Sequence, residues 1–566
     1  MSTFEGLKTD GEAAWRNYMG DTKPLLQVGM GSCGVAAGAE EALAVLRREV
    51  TARNIPATVS ITGCNGMCFA EPLVMVTREG RTVTYGEMTP ERIPALVEEV
   101  LVRGGVWAEA ALGVSGEEEW QGIRPLAETE FFRLQERRLM ARCGVIDPEN
   151  IEHNIALGGY AALHKALSGM TPETVIQEMN QSGLAGRGGA NFPCGRKWDF
   201  LRQAKATPKY MICNADEGDP GAFVNRILLE SDPHLVIEGI LIGAYATGAE
   251  AAYIYLREEY PLAARRLRIA LEQARARGLV GDNILGLGFK CNLELVVGAG
   301  SYVCGEETGL ISSIQDSRGM PRIRPPFPAQ AGVFGKPTNV NNVETYANAP
   351  LIIAHGGQWY ASMGTERARG TKMFSISGHI VRTGVVEVPL GTPLRRIFEE
   401  AGGGVGNGRP LKAIQSGGPL SGFLTARHLD LPLEPQAFAP EGVLMGSGGL
   451  VFVDEGACLV DMVLRYLTFA QDESCARCTT CRIGTQRYVD ILERITQGKG
   501  RPQDLDTFRW LEGVMRNGNC AHGQASPTAV ISTLRHFPEE YEAHIREKCC
   551  PAGVCPLPAA SPALTR

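Results

Sequence analysis

Residues 473–484 read ESCARCTTCRIG, and residues 517–523 read NGNCAHG. Cys475, Cys478 and Cys481 stand at C-x2-C-x2-C spacing, and Cys520 follows at a distance. Three thiolates around one turn plus a remote fourth can hold a cubane [4Fe–4S] cluster. A zinc ribbon wants two separated C-x2-C pairs. A bacterial ferredoxin run sets its fourth cysteine soon after the third, ahead of proline. The spacing here matches neither. Inert buried thiols are a poor reading, because this spacing gathers sulfurs about a single turn. The segment therefore predicts a helical domain organised by an iron–sulfur cluster.

The rest of the composition fits a chain of several globular domains. At about 150 residues per domain, 566 residues suggest three to four. Hydrophobic residues make up 44% and charged residues 21%, and 68 glycines imply many tight turns and close backbone approaches to ligand. The net charge is −7 with no long basic block, which argues against binding nucleic acid or anionic membrane. No apolar run reaches the roughly 18 residues that span a bilayer, so no transmembrane segment is expected. The N-terminus MSTFEGLKTDGEAAW lacks a signal pattern. We expect a soluble, cytoplasmic protein. Sixteen cysteines in a long chain of this kind point to metal rather than disulfides.

The pattern divides the chain as follows. Residues 1–23 read as a loose polar arm. Residues 24–110 read as a small α/β unit, with strands in LLQVGMG, ATVSITG and LVMVTREGRTVTYG and a helix from about Ala36 to Arg53. Residues 111–150 read as a charged connector with helical stretches. In 151–370 helical segments alternate with β-rich runs (KYMICNA, AAYIYL, LELVVGAG), which favours a mostly parallel sheet covered by helices. Within 371–440, MFSISGHIVRTGVVEVPLG reads as a hairpin. Residues 441–545 are helix-rich, and 546–566 form a cysteine-containing tail.

Four further motifs carry chemistry. GLAGRGGANFPCGRKWDF (183–200) offers glycines whose backbone N–H groups can close on phosphate, with Arg187 and Lys197 as cations and Phe192 and Phe200 as flat faces. It is neither a Rossmann fingerprint nor a Walker loop, and alone it reads equally as a tight turn. CNADEGDPGAFVNR (213–226) reads as a metal site or a solvated loop. GAGSYVCGEET (298–308) and PPFPAQAGVFGKPTNVNNVET (325–345) are weak signals separately.

In this order, and joined to the cysteine cluster, these motifs resemble the NADH-binding flavoprotein subunit of respiratory complex I. That family is similar to the diaphorase subunits of NAD-linked hydrogenases and formate dehydrogenases. The resemblance implies a multidomain α/β fold: a thioredoxin-like N-terminal domain, an FMN/NADH domain, a ubiquitin-like (SLBB) domain and a helical bundle carrying the [4Fe–4S] cluster. It implies FMN, NAD(H) and [4Fe–4S] as cofactors and other redox subunits as partners. By the same likeness, Gly186, Arg187, Gly188 and Gly189 wrap phosphate, and Lys197 contacts phosphate. Asn214, Asp216 and Glu217 hydrogen-bond FMN, and Tyr302, Glu306, Asn341 and Asn342 complete the flavin pocket. Phe192, Phe200 and Phe327 stack on adenine, and Glu307 lies near the nicotinamide ribose. Asn191 replaces a family glycine, and Asn tolerates a left-handed backbone. Cys194 replaces a family threonine. Asp219, as in related diaphorases, stands where the complex I subunit has Glu. A carboxylate there would repel the 2′-phosphate of NADPH, so NAD(H) is the expected substrate.

VGMGSCG (28–34) and GCNGMCFAEP (63–72) resemble the [2Fe–2S] loops of the family. That site uses four cysteines. Here Cys33, Cys64 and Cys68 are present, and Val28 stands at the fourth position. Two readings remain open: a [2Fe–2S] cluster completed by a nearby residue or a partner chain, or a docking domain without metal. The tail KCCPAGVCPLPAASPALTR, with Cys549, Cys550 and Cys555, resembles the entry to a ferredoxin-like extension and reads as vestigial, or as a ligand set at a subunit contact.

Hydride transfer from NADH to a flavin followed by single-electron steps to clusters is the implied chemistry. No general acid or base is expected. Reverse flow, from a formate, aldehyde, hydrogen or aromatic-substrate oxidoreductase to NAD+, is equally compatible, as is electron bifurcation. The reading of a different class is an iron–sulfur docking scaffold that has lost flavin.

Overall fold

The computed structural model describes residues 4–20 and 23–558. Three five-stranded sheets organise it, followed by a helical region.

The first sheet contains β1 (Leu25–Gly29), β2 (Thr58–Thr62), β3 (Val74–Arg78), β4 (Arg81–Tyr85) and β5 (Ala111–Val114), in the order β2-β1-β3-β4-β5. β1 and β2 run parallel, joined through the helix Ala39–Ala52, and the remaining pairs are antiparallel. That helix buries Leu43, Leu46 and Val50, the apolar spacing expected from sequence. The unit docks on the second domain through Ser32, whose N–H and Oγ meet the Glu230 carboxylate at 2.8 and 2.5 Å.

The second sheet contains β6 (Tyr210–Ala215), β7 (Ala251–Leu256), β8 (Gly281–Ile284), β9 (Phe289–Val297) and β10 (Thr338–Asn342), in the order β10-β6-β7-β9-β8. All but β8 are parallel. The helix Pro233–Thr247 is apolar all round and almost wholly buried, as a central helix must be. Asp232 caps its start, Pro233 occupies the first turn, and Gly248 ends it at φ 75°. Gly239 lets the helix Val343–His355 cross closely; a Cβ there would lie 2.0 Å from the Tyr346 carbonyl oxygen.

The third sheet contains β11 (Thr371–Gly378), β12 (Gly384–Pro389), β13 (Leu411–Ser416), β14 (Phe423–Thr425) and β15 (Gly449–Asp454), in the order β12-β11-β15-β13-β14. It braces the second domain. Lys372, buried, donates to Glu344 (3.0 Å), the Ser447 carbonyl (2.8 Å) and the Arg187 carbonyl (3.3 Å), and Ser375 Oγ donates to the Gly221 carbonyl (2.8 Å). The helices Leu459–Asp472, Thr479–Thr496, Gln503–Met515 and Thr528–His536 then pack around a core with Tyr488, Phe508 and Tyr541.

Four expectations need correction. Residues 4–19 form a helix rather than a loose arm. Phe4 stacks on His164 at 4.6 Å, and Trp15 and Tyr18 pack on His153, so three aromatic contacts overcome a polar sequence. The connector 111–150 supplies β5 and is otherwise turns and a single 3-10 turn at Leu126–Glu128, because Phe131, Phe132 and Leu134 are spent packing against the third sheet's core. The third domain extends past residue 440, since β15 lies at the middle of its sheet. The tail is folded as far as residue 558 and buries Cys549, Cys550 and Cys555. Its last residues, 559–566, lie outside the described residues.

Candidate functional site

Open parallel sheets take their ligands in the crevice outside the carboxyl ends of the strands, and the loops that follow β6 and β9 meet there. Asn214, in β6, ties these two loops together. Its Oδ1 accepts from Asp216 N at 3.0 Å and its Nδ2 donates to the Gly305 carbonyl at 2.8 Å. Asp216 carries the loop's unmet chemistry: its Oδ2 is buried and, among the described residues, has no hydrogen-bond partner. Burial pushes its carboxyl up to about 7, against the pull of Arg257. An unpaired buried carboxyl is costly unless something meets it.

Opposite lies the glycine loop, closed by a hydrogen bond from Gly186 N to the Phe192 carbonyl at 2.9 Å. Gly188 sits against Asn342, where an added Cβ would approach the Asn342 Cβ to 3.2 Å. Gly189 has φ 100° and Asn191 φ 54°, so Asn191 takes the left-handed backbone expected of it. A glycine-rich loop and an unpartnered buried carboxyl oxygen fit a flavin mononucleotide, whose phosphate needs backbone N–H groups and whose ring needs polar partners.

Two assigned contacts are corrected. The Arg187 side chain is buried and does not face phosphate. Its Nη2 donates to Tyr360 Oη (2.9 Å) and to the carbonyls of Arg369 (2.7 Å) and Thr371 (3.0 Å), because a buried guanidinium needs that many acceptors. The Glu217 carboxylate turns away as well, accepting from Asn225 N, Arg226 N and Tyr260 Oη at 2.9, 3.0 and 3.1 Å; it caps the helix Val224–Ser231. Others serve as struts. Asn341 Oδ1 accepts from Trp198 Nε1 at 3.0 Å, Asn342 caps the helix Val343–His355, and Glu306 caps the helix Glu307–Ile314.

Two groups of expected dinucleotide contacts can be placed, one polar and one aromatic. Lys197 Nζ meets Glu307 at 3.1 Å and the Val340 carbonyl at 2.7 Å. Arg324 donates to the other Glu307 oxygen at 2.8 Å. Arg324 escapes a reading of the sequence, where RIRPPFP offers no signal beyond its charge. Phe192, Phe200 and Phe327 are all exposed, and the rings of Phe192 and Phe200 lie 6.2 Å apart. Asp219 is held by Tyr302 Oη and Ser447 Oγ, each at 2.8 Å, and burial raises its carboxyl.

Tyr302 connects this crevice to the cysteines. Its N–H donates to Glu473 at 2.9 Å, and its ring lies edge-on to Phe469 (5.1 Å) and His522 (5.8 Å). Glu473 opens the loop that carries Cys475 and Cys478. Ala476 turns that loop at φ 58°, and Cys478 caps the helix Thr479–Thr496, with Cys481 in its first turn. A helix N-terminus favours negative charge, such as that of a thiolate. Cys520 caps the short helix Ala521–Ala525, and Gly523 behind it leaves room for the Cys481 sulfur. Burial pushes Cys520 up to about 11, with Glu306 adding to the rise. Among the described residues the sulfurs of these four cysteines do not all lie within 4.8 Å of one another.

The N-terminal thiols do crowd. Cys33, Cys64 and Cys68 place their sulfurs within 4.8 Å of one another, with Cys33 and Cys64 at 3.2 Å. Val28 is core in β1. Glu71 lies beside one of them, its Oε1 accepting from Cys33 Sγ at 3.4 Å. Glu71 escapes any reading of the sequence that seeks a cysteine as the fourth ligand.

Comparison with known proteins agrees with this geometry. Residues 179–351 match the Nuo51 FMN-binding domain, 373–424 the SLBB domain, and 461–544 the NADH-ubiquinone oxidoreductase-F iron-sulfur binding region. The NADP-reducing hydrogenase subunit HndC of Solidesulfovibrio fructosivorans is 48% identical over 431 residues, 76% of this chain and 88% of that one. An NADH-quinone oxidoreductase subunit of Aquifex aeolicus is 43% identical over 421 residues, 74% of this chain and 96% of that one. A crystal structure of an NAD+-reducing [NiFe]-hydrogenase in the H2-reduced state superposes with TM-score 0.65 at 28% identity, covering 96% of this chain and 90% of that one. The chain belongs to the family of NADH-binding flavoprotein subunits of NADH-quinone oxidoreductase and hydrogenase complexes, with FMN-binding, SLBB and [4Fe–4S] domains.

Proposed function

We propose that the chain is the NAD(H)-handling subunit of a multisubunit redox complex, exchanging electrons between the nicotinamide and a partner redox subunit. Bound FMN supplies the conversion between a hydride, carrying two electrons, and the single electrons that iron–sulfur clusters accept. The observation that carries the reading is the junction of the two loops: Tyr302 N on Glu473, and the Tyr302 ring edge-on to His522, two residues from Cys520. It joins the crevice to the cluster ligands without an intervening domain.

The chain's own residues divide the work. The backbone at Gly186, Gly188 and Gly189 receives phosphate, and Asp216 offers the free polar atom to the flavin. Lys197 contacts phosphate and, with Arg324, fixes Glu307 near the nicotinamide ribose of NADH, and Phe192, Phe200 and Phe327 cover the adenine. Asp219 sets the preference for NAD(H). Cys475, Cys478, Cys481 and Cys520 hold the [4Fe–4S] cluster. Glu307 is engaged by two cations and serves as no base. Cys33, Cys64 and Cys68 are the residues that a [2Fe–2S] centre in the N-terminal unit would use, with Glu71 near Cys33 as a further donor where Val28 gives no thiolate.

Partners are other redox subunits. The hydrogenase names among the relatives support one that exchanges electrons with hydrogen; formate, aldehyde and aromatic-substrate oxidoreductases fit the same chemistry, in either direction. No helix of the described residues is long and apolar enough to cross a membrane. We place the chain in the cytoplasm, where NADH is held and thiolate ligands stay reduced.

The test is the visible spectrum of the anaerobically purified protein before and after one equivalent of NADH. Flavin and cluster bands bleaching together are expected. A spectrum without flavin, or one indifferent to NADH after FMN is added, would leave only the scaffold reading.

A further inference from the structure

A second set of ligand-type atoms lies at the far end of the helical region. The sulfurs of Cys458, Cys550 and Cys555 and a ring nitrogen of His544 all lie within 4.8 Å of one another, and all four residues are buried. Cys458 Sγ is 3.6 Å from Cys555 Sγ, and His544 Nε2 is 3.4 Å from each of these two sulfurs. A tetrahedral zinc with bonds of about 2.3 Å to sulfur and 2.0–2.1 Å to nitrogen spaces its ligands by about 3.5–3.8 Å. These are the separations of a single ion, and they leave no room for a cubane.

The surroundings are built for a metal. His544 Nδ1 lies 2.6 Å from the Glu540 carbonyl, which can only accept, so Nδ1 carries the proton and Nε2 presents its lone pair to the sulfurs. The Glu540 carboxylate is fixed in turn by Leu459 N at 3.1 Å and by Lys412. Cys550 and Cys555 sit on a tight turn closed by Gly553 N on the Cys550 carbonyl at 3.0 Å. Cys549 is not part of the set; its sulfur faces the Ala543 carbonyl and Glu547.

We propose that Cys458, His544, Cys550 and Cys555 bind one Zn2+ in a closed, structural site. The three thiols release their protons to solvent as the ion binds, and no electron is transferred. The ion clips the segment 549–558 to the start of the helix Leu459–Asp472. That helix spans about 21 Å and runs directly into the loop of Cys475 and Cys478, so the zinc fixes one end of the element whose other end carries the [4Fe–4S] ligands. With no open ligand position the site is neither catalytic nor a link in the electron path.

The test is metal analysis of the full-length protein purified anaerobically. About one zinc per chain is expected in addition to the iron. Cys555→Ser and Cys458→Ser should each lose zinc while iron and FMN stay bound, and His544→Cys should keep it. Cobalt bound in place of zinc should give the intense visible bands of a tetrahedral thiolate site. A wild-type chain that takes up no zinc, even when zinc is supplied after chelation, overturns the proposal. So does zinc that persists in both serine variants. A single iron in this site, lost with the same substitutions, overturns the assignment to zinc. Failure of the flavin reading would leave the zinc measurements unchanged.

Discussion

The backbone N–H of Tyr302 donates to the Glu473 carboxylate over 2.9 Å, so one hydrogen bond spans the flavin-side loop and the cluster loop. A bond to a charged acceptor is worth about 1.5–3 kcal/mol. Glu473→Ala should therefore loosen the junction and slow cluster reduction by NADH about tenfold, with flavin reduction little changed. Glu473→Gln keeps an acceptor and removes a negative charge beside the cysteines, so it should preserve the rate and raise the cluster's potential. Stopped-flow spectra and a redox titration separate the two; equal slowing of flavin and cluster in the Ala variant would refute the role.

Glu307 is gripped from both sides, by Lys197 at 3.1 Å and Arg324 at 2.8 Å. If this trio positions NADH rather than taking part in bond making, Arg324→Ala should raise the KM for NADH about tenfold and leave kcat with a dye acceptor near wild type. Lys197→Ala should act in the same direction. A fall in kcat at unchanged KM would put these residues in the reaction itself.

Asp219 holds its charge in a fixed place, because Tyr302 and Ser447 donate to its two oxygens. Asp219→Asn can keep both neighbours while losing the charge. The ratio of kcat/KM for NADPH over NADH should rise about tenfold, or about 1.4 kcal/mol. The comparison is sharp because a relative at 48% identity bears the name NADP-reducing hydrogenase subunit. Wild-type protein that uses NADPH as readily as NADH would end this reading of Asp219.

What is legible in sequence follows from how local each cause is. The C-x2-C-x2-C run is confined to one loop and the first turn of the helix Thr479–Thr496, rather than to the single turn expected from its spacing, and is local enough to be read directly. The left-handed Asn191 is equally local. Arg187 misleads because charge beside glycines suggests phosphate, whereas its acceptors come from Tyr360, Arg369 and Thr371, far along the chain. Glu217 misleads for the same kind of reason, since the helix it caps begins seven residues later. The N-terminal helix is polar in composition and is held by partners at 153 and 164. Cys458 and His544 stand singly in sequence, and only the fold brings them to Cys550 and Cys555.

His234 gives the core a pH dependence that can be isolated. Its Nδ1 meets Tyr160 Oη at 2.7 Å inside the central helix packing, and burial pushes the imidazole down to about 4, against a pull from Asp232. The unfolded chain has the ordinary value near 6.5, so between 6.5 and about 4 it binds the proton that the folded state refuses. The stability tied to His234 is whole above about 6.5 and is lost as pH falls toward about 4, reaching about 2 kcal/mol of loss at about pH 5. Glu238 works the other way. Burial pushes its carboxyl up to about 7, so the folded state takes up a proton between about 7 and 4.5 that the unfolded chain does not. The two nearly cancel in the wild type, whose Tm should change little over that range on their account. His234→Gln removes only the first of them. The variant is expected to melt below wild type at about pH 8, through the lost packing with Tyr160, and the gap should narrow by about 2 kcal/mol at about pH 5. Thermal melts of both proteins at the two pH values decide it; a gap that widens on acidification would mean that the folded state carries His234 protonated.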